Sequence, residues 1–200
     1  NSDLGDMGAL KVTTQKFYRI NGGSTQLEGV KSDVVVPDRY SYIDIGERDM
    51  ENPLPWDKIE PADYTVWEGY KDFDKALESS KKRMAESKQL QLIDESAKWI
   101  SEQRKKDIYP LAYEAYSKEI SENEEQAKKF DSITEYKTDL SFLSLPKEEK
   151  MFTQDSTLQK KRERWHESLS KDVYVEEAVN VLNDLRMSSM KKSDWANIKN

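Results

Sequence analysis

Apolar side chains beyond Asp63 recur at close to helical spacing, and this feature most constrains the fold of the chain. They fall about every 3.6 residues, with Lys and Glu between them. The stripe comprises Trp67, Tyr70, Phe73, Leu77 and Met84, and after a break near Ser87 it continues with Leu90, Ile93, Ala97 and Ile100. Such a period puts apolar residues along one face of a helix and charged residues along the other. The spacing therefore predicts amphipathic helices.

A second break and two further helices are predicted downstream. The segment from Asp107 to Tyr113 contains Pro110, which interrupts a helix. A long helix is then predicted from a new apolar stripe formed by Tyr113, Tyr116, Ile120, Ala127 and Phe130. The final helix runs from Val173 to Leu185, with Asp172 as its N-cap.

The segments around the final helix have weaker patterns. Leu140–Leu145 is apolar and ends at Pro146, so it is predicted to be a short strand or a buried turn. Residues 146–171 are too charged for a prediction of their structure. The C-terminal end, which includes Trp195, is predicted to be a polar tail.

The N-terminal part instead follows the period of a β-strand. Alternate residues lie on one, mainly apolar, face: Leu10, Val12, Thr14, Lys16, Tyr18 and Ile20. Asn21-Gly22-Gly23 then predicts a tight turn, and Val34-Val35-Val36 predicts a strand covered on both faces. Since two or three strands are too few to be stable alone, residues 8–38 need a sheet that the chain does not obviously contain.

A proline-rich connector is predicted between the strands and the helices. From Tyr40 to Pro61 the prolines exclude a long helix, and Pro53-Leu54-Pro55-Trp56-Asp57 is predicted to be ordered by its indole. The predicted fold class is α+β, with helix dominant.

Composition excludes several classes of partner and site. Charged and hydrophobic residues each make up 36% of the chain, and the net charge of -7 disfavours nucleic acid. No apolar run approaches the roughly 18 residues that a membrane-spanning helix needs, so the chain is predicted not to span a membrane. The absence of Cys excludes thiol catalysis, thiolate metal sites and disulfides. The first residues, Asn1–Gly5, do not form a signal sequence.

Short motifs in the chain do not assemble into a catalytic or metal site. His166-Glu167 begins the zinc-protease pattern H-E-x-x-H, but Ser170 stands where the second imidazole is required. Ser-x-x-Lys, the spacing of one class of Ser–Lys hydrolases, starts at five positions: Ser79, Ser144, Ser168, Ser188 and Ser189. So many matches to two common residues indicate chance.

Clusters of charge are interpreted as solvated surface. This applies to the carboxylates of Glu122–Glu125 and Asp44–Asp49, and to the basic run Lys160-Lys161-Arg162 with Arg164 and Trp165. The glycines form no phosphate-binding loop followed by Lys-Ser or Lys-Thr. We therefore predict no catalytic, cofactor-binding or metal-binding residue in this chain, and no cofactor.

Two segments resemble a known family. They are Gly8-Ala-Leu-Lys-Val-Thr-Thr-Gln-Lys-Phe-Tyr-Arg-Ile-Asn-Gly-Gly-Ser-Thr-Gln-Leu-Glu-Gly-Val30, continuing through Asp33-Val-Val-Val-Pro-Asp38, and Asn52-Pro-Leu-Pro-Trp-Asp-Lys-Ile59 with Tyr64. Both are similar to the region just downstream of the catalytic residues in bacterial tail-specific proteases, the carboxyl-terminal-processing serine endopeptidases. The resemblance is specific over residues 8–64 and looser to about Leu145 and around Val173–Leu185. Ser32 departs from it, since the family usually has proline there.

The resemblance implies a periplasmic protease whose Ser nucleophile, Lys base and substrate-capturing PDZ module lie upstream of Asn1. Protein or peptide substrates would then bind outside this chain, and an adaptor protein is a possible partner. It also implies two domains: residues 1–62, the terminal strands of the protease core with a connector, and residues 63–200, a C-terminal helical domain. The alternatives are a non-enzymatic helical adaptor and a stand-alone hydrolase using one Ser-x-x-Lys pair.

Overall fold

The computed structural model describes residues 8–9, 12–66 and 72–189, the side chain of Ser189 excepted. These residues contain six α-helices: α1 Phe73–Glu86, α2 Lys88–Lys105, α3 Tyr113–Lys128, α4 Pro146–Phe152, α5 Ser156–Leu169 and α6 Val173–Ser189. Two 3-10 turns, Glu47–Asp49 and Asp131–Ile133, complete the regular structure. The prediction of a helix-dominated fold is confirmed. No helix within the described residues has both the length and the apolarity to cross a membrane.

The chain divides into two compact units. The first comprises Asn1–Asp33 and Asp44–Trp67, and the second comprises Val34–Ile43 and Glu68–Asn200. All six helices belong to the second unit.

A tight turn organises the first unit. Arg19 N donates to Gly23 O at 2.9 Å and Gly22 N donates to Arg19 O at 2.8 Å. Gly22 has a φ of +81°, and a Cβ there would lie 2.1 Å from Ile59 O. Any other residue at position 22 would therefore be strained and would displace the connector, and the predicted turn is confirmed.

The predicted strands do not form in the described residues. The first unit contains only isolated bridges, which pair Tyr18 with Ser24 and Gly23 with Lys58. Val12 and Ile20, predicted on a buried face, are each 63% exposed, and Leu10 lies outside the described residues. A strand forms only with a ladder partner for its backbone groups. Among the described residues, the backbone of residues 12–17 makes a single such bond, which Phe17 O accepts from Thr25 N at 3.0 Å.

Val34–Val36 also departs from its prediction. Val35 is 76% exposed while Val34 and Val36 are half-buried, so the expected cover on both faces is wrong. The segment forms no strand and belongs to the second unit, where Val36 packs against the helical core.

The predicted indole anchor of the connector is confirmed. Trp56 Nε1 donates to Ser24 O at 2.9 Å, and Ser24 N donates to Asp57 O at 3.0 Å. Tyr18 Oη donates to Asp57 Oδ2 at 3.0 Å, and Lys16 Nζ lies 3.2 Å from Asp57 Oδ1. Polar contacts thus hold the connector against the turn segment.

Apolar packing dominates the second unit. Its core consists of Leu90, Ile93 and Val173, which are 3%, 7% and 6% exposed. The partly buried side chains of Val36, Met84, Ile133 and Tyr136 pack around them. Small buried residues, Ala76 and Ser80 on α1 and Ala97 on α2, let neighbouring helices approach closely. Helix α1 packs against both α2 and α6, and α4 packs against α5.

Side-chain caps fix the helix boundaries that the sequence indicated. Ser87 separates α1 from α2, and its Oγ accepts a hydrogen bond from Leu90 N at 3.3 Å. Asp172 Oδ1 accepts from Tyr174 N and Val175 N at 2.8 and 3.1 Å, so the predicted N-cap of α6 is confirmed. The predicted break around Pro110 is also confirmed, since no helix covers residues 106–112.

Other expectations are corrected or lie outside the described residues. Leu140–Leu145 is neither strand nor buried turn, because Leu143 and Leu145 are 88% and 67% exposed. Residues 146–171, for which no structure was predicted, are mostly helical in α4 and α5. Trp67, Tyr70 and Trp195 lie outside the described residues.

Candidate functional site

A cleft of about 590 Å³ lies in the second unit. It lies where α2, the 3-10 turn Asp131–Ile133 and the junction of α5 with α6 meet. Its volume is within the range of about 300–1,000 Å³ that small-molecule sites occupy.

The lining of the cleft combines apolar and polar side chains. Ile93 and Val173 contribute core side chains, and the other apolar residues are Ile100, Phe130 and Ile133. The Phe130 ring lies 5.7 Å from that of Trp99. The polar lining consists of Arg39, Ser96, Asp131, Thr134, Ser168, Lys171 and Asp172.

Many of the polar side chains that line the cleft already form hydrogen bonds or ion pairs within the second unit. Lys171 Nζ lies 2.7 Å from Glu167 Oε1, and Asp172 caps α6. Thr134 Oγ1 donates to Asp131 O at 2.8 Å, and Ser168 Oγ donates to Arg164 O at 3.0 Å. The cleft therefore has the character of a binding surface, with no activated nucleophile among these groups.

Tyr174 closes one side of the cleft. Its Oη donates to Pro37 O at 3.1 Å. Burial raises the pKa of this phenol, and the negative charges of Asp38 and Asp172 raise it further. The phenol is therefore neutral near pH 7 and acts as a hydrogen-bond donor that connects Pro37 to α6.

The structure shows where the predicted Ser-x-x-Lys pairs lie. In the pair that borders the cleft, Ser168 binds a backbone carbonyl and Lys171 binds Glu167, so the two do not form a dyad. Ser79 is exposed on α1, and Ser144 precedes α4. Ser188 Oγ donates to Leu185 O at 2.8 Å. The side chain of Ser189, and the lysines that follow Ser188 and Ser189 at this spacing, lie outside the described residues.

His166 lies between two aromatic rings. Its imidazole is 6.5 Å from the Phe142 ring and 5.6 Å from the Trp165 ring, measured between centroids. Within the described residues no group of His, Asp and Glu side chains could hold a metal ion. The basic run beside it is also engaged: Arg162 pairs with Glu148 and lies 4.7 Å from the Trp165 ring centroid.

The carboxylates interpreted as surface lie at the surface. Glu122–Glu125 occupies α3, which has no buried residue, and Asp44–Asp49 surrounds an exposed 3-10 turn. Neither group lines the cleft.

An ion-pair cluster between α1 and α6 was missed by the sequence analysis. Arg83 Nη2 lies 2.8 Å from Glu177 Oε1, and Arg83 Nη1 lies 2.7 Å from Asp184 Oδ2. Burial raises the pKa of the Glu177 carboxyl, but polar contacts, chiefly the hydrogen bonds and the positive charge of Arg83, outweigh burial and hold this pKa below its ordinary value. The sequence did contain a signal for a buried ion pair. Glu177 is a carboxylate that lies one turn after Val173, on the apolar stripe of α6.

Comparison with known proteins agrees with the resemblance. The family model described as the C-terminal domain of tail-specific protease matches residues 40–186. The tail-specific protease of Haemophilus influenzae is 36% identical over 115 residues, which are 56% of this chain and 16% of that protein. The chain thus spans less than a fifth of this curated relative. No solved structure matches it.

The family model begins at residue 40 and covers α1 to most of α6. It therefore includes residues 40–64 of the segment with the specific resemblance and nearly all of the helical region, where the resemblance is looser. The Arg83 cluster lies inside this range, and so does the cleft lining except Arg39. Because the model matches well over half of the sequence, the chain belongs to the family of C-terminal domains of tail-specific proteases.

Proposed function

We propose that this chain is the C-terminal portion of a periplasmic serine endopeptidase that degrades or processes proteins recognised by their C-termini. The observation that carries the proposal is the family match over residues 40–186. The name of the Haemophilus relative, tail-specific protease, supplies the substrate class. Substrates would bind through a PDZ module and a protease core upstream of Asn1.

The role proposed for this segment is that of a scaffold without the catalytic Ser and Lys. The contacts of the Ser168–Lys171 pair support it, because each side chain is held by a different partner. A Ser–Lys mechanism needs the amine beside the hydroxyl, so that the amine can accept its proton. The exposed position of Ser79 on α1 provides no such environment.

The first unit is proposed to complete the sheet of the protease core. Four apolar side chains of this segment are strongly exposed: Val12 63%, Phe17 70%, Ile20 63% and Val30 65%. Residues 12–17 form no strand, and within the described residues only Phe17 O takes part in a backbone hydrogen bond. Both properties fit strands whose partners belong to the upstream core, with residues 1–62 and 63–200 as the two domains.

Peptidase assays test this proposal. The 200-residue chain and the complete polypeptide are each incubated with an unfolded protein and with a peptide ending in apolar residues. We expect cleavage only by the complete polypeptide. Cleavage by the isolated chain that is lost in Ser79→Ala, Ser144→Ala or Ser168→Ala would refute the scaffold role.

A second candidate is a non-enzymatic helical adaptor. The observation that favours it is an apolar groove of about 410 Å³ along α6, lined by Val34, Val36, Tyr174, Glu177, Ala178, Val181 and Leu182. Grooves of this kind accept amphipathic helices. The upstream reading frame distinguishes the two candidates, since only the protease requires a PDZ module and a Ser/Lys core there.

A further inference from the structure

Helix α3 and the loop before it present an uncovered apolar surface. Six apolar side chains of this segment, which we name together the α3 face, are exposed: Ile108 80%, Tyr109 52%, Leu111 102%, Tyr113 82%, Tyr116 44% and Ile120 40%. Helical spacing places Tyr113, Tyr116 and Ile120 on one side of α3, and the other three precede it in the chain. The 16-residue helix has no buried residue. Isolated exposed apolar residues are ordinary, but a contiguous group marks an interaction surface.

Few contacts support α3 within the described residues. An ion pair joins Lys106 Nζ to Glu119 Oε1 at 2.6 Å, and Lys106 Nζ lies 5.7 Å from the Tyr109 ring centroid. An isolated helix of about 12–15 residues is only marginally stable in water. Additional packing on the α3 face would therefore stabilise the helix.

The tyrosine hydroxyls of the α3 face are suited to hydrogen bonding with a protein surface packed against it. Tyr109 Oη donates to Lys106 O at 3.2 Å. The hydroxyls of Tyr113 and Tyr116 have no hydrogen-bond partner among the described residues and can donate to carbonyls of a covering surface. Tyrosine is enriched in the cores of protein interfaces because it combines a large apolar ring with a polar tip.

We infer that the α3 face packs against the protease portion of the same polypeptide. This inference rests on the proposed function, in which the chain is the C-terminal part of a longer protease. The chain corresponds to only 16% of its Haemophilus relative, so most of that polypeptide is available to cover the face. A linked domain has a high effective concentration and needs less buried area than a separate partner, for which about 800 Å² on each side is usual.

Thiol labelling of the complete polypeptide tests the inference. This segment has no Cys, so Leu111→Cys introduces a defined probe whose peptide is quantified by mass spectrometry. A matched control, Glu122→Cys, lies nine residues after Tyr113 and hence on the opposite side of α3. Labelling rates are measured for native and urea-denatured protein.

We expect native Leu111→Cys to react at least about tenfold more slowly than the denatured protein, because a covered thiol must await local opening. Glu122→Cys should react at similar rates in both states. Equal rapid labelling of both native variants would overturn the inference. Protection of Leu111→Cys that disappears on dilution would also overturn it, in favour of a second copy.

Peptidase activity measured on the same samples separates this inference from the proposed function. Activity without protection of Leu111→Cys contradicts only the cover of the α3 face. Protection without activity contradicts only the assignment as a protease. Tyr113→Cys provides a second probe of the same face if Leu111→Cys does not fold.

Discussion

Hydrogen bonds from Trp56, Tyr18 and Lys16 hold the first unit together, whereas the second unit is built on the buried side chains of Leu90, Ile93 and Val173. In the first unit the apolar residues of the strand-like segment face solvent, while the amphipathic helices of the second unit bury part of their apolar stripes. An extended segment pairs its backbone with another strand, but a helix satisfies its backbone internally. The first unit therefore owes less of its stability to apolar burial than the second unit does.

Amide exchange in the 200-residue chain should show the largest difference between the two units. We expect the amides of Arg19 and Gly22 to exchange on the order of a hundredfold faster than those around Leu90, since each 1.4 kcal/mol of local stability corresponds to about tenfold. Hydrogen exchange followed by mass spectrometry or NMR measures both. Similar slow exchange in the two units would show that the strand segments have found partners, for instance by edge pairing between chains.

Leu90→Ala should cause the largest loss of stability in the second unit. Leu90 is 3% exposed at the centre of the core, and truncating a buried Leu typically costs about 2–5 kcal/mol. Leu182→Ala is the matched control, because Leu182 is 62% exposed on α6 and should cost less than about 1 kcal/mol. Denaturant midpoints provide the comparison. Equal losses in both variants would contradict the position of the core.

Arg83→Met should destabilise the contact between α1 and α6. It leaves the buried Glu177 carboxylate without its cation, and removing one partner of a buried pair costs about 3–5 kcal/mol. The side chain of Arg83 is 31% exposed, so we expect a value near the lower limit. Lys75→Met, which breaks a surface pair with Asp72, is the control and should cost at most about 1 kcal/mol. Chemical denaturation of both variants compares the costs.

The same cluster should make stability depend on pH in acid. The pKa of Glu177 in the folded chain lies below its ordinary value of 4.5, so the folded state favours the charged carboxylate. Its contribution to stability is complete above pH 4.5 and is lost as the pH falls through the folded pKa. Denaturant midpoints measured from pH 6 down to about pH 3 should therefore fall more steeply for the wild type than for Glu177→Gln. Parallel curves would show that Glu177 does not contribute to the acid sensitivity.

Local sequence signals predicted much of the helical unit. Ser87 and Pro110 marked interruptions between helices, Asp172 marked the start of α6, and the stripe through Leu90 and Ile93 marked the core. These features act over a few residues, so periodicity and capping chemistry are sufficient to find them.

Long-range relations could not be predicted in this way. The pairing of Arg83 with Glu177 joins residues 94 positions apart, and the cleft combines side chains from segments as distant as Arg39 and Tyr174. The apolar stripe of α3 predicted the helix correctly, but it could not indicate that Tyr113 is 82% exposed. The strand pattern of residues 8–38 likewise could not indicate whether these residues have ladder partners, and within the described residues they form only isolated bridges.

The smallest expected effect concerns one hydrogen bond in the first unit. Trp56→Phe keeps an aromatic ring but removes the indole N–H that donates to Ser24 O. The loss should be about 1 kcal/mol, the usual net value of such a bond, which corresponds to roughly fivefold faster amide exchange at Ser24 and Ile59. Both amides donate to carbonyls across the contact between the connector and the turn segment, at 3.0 and 2.9 Å.

Trp165→Phe is the matched control, because that ring is 50% exposed beneath Arg162. It should leave exchange in the first unit unchanged. If Trp56→Phe also leaves the Ser24 and Ile59 rates unchanged, ring packing rather than the N–H holds the connector, and Trp56→Ala would then be the variant that releases it.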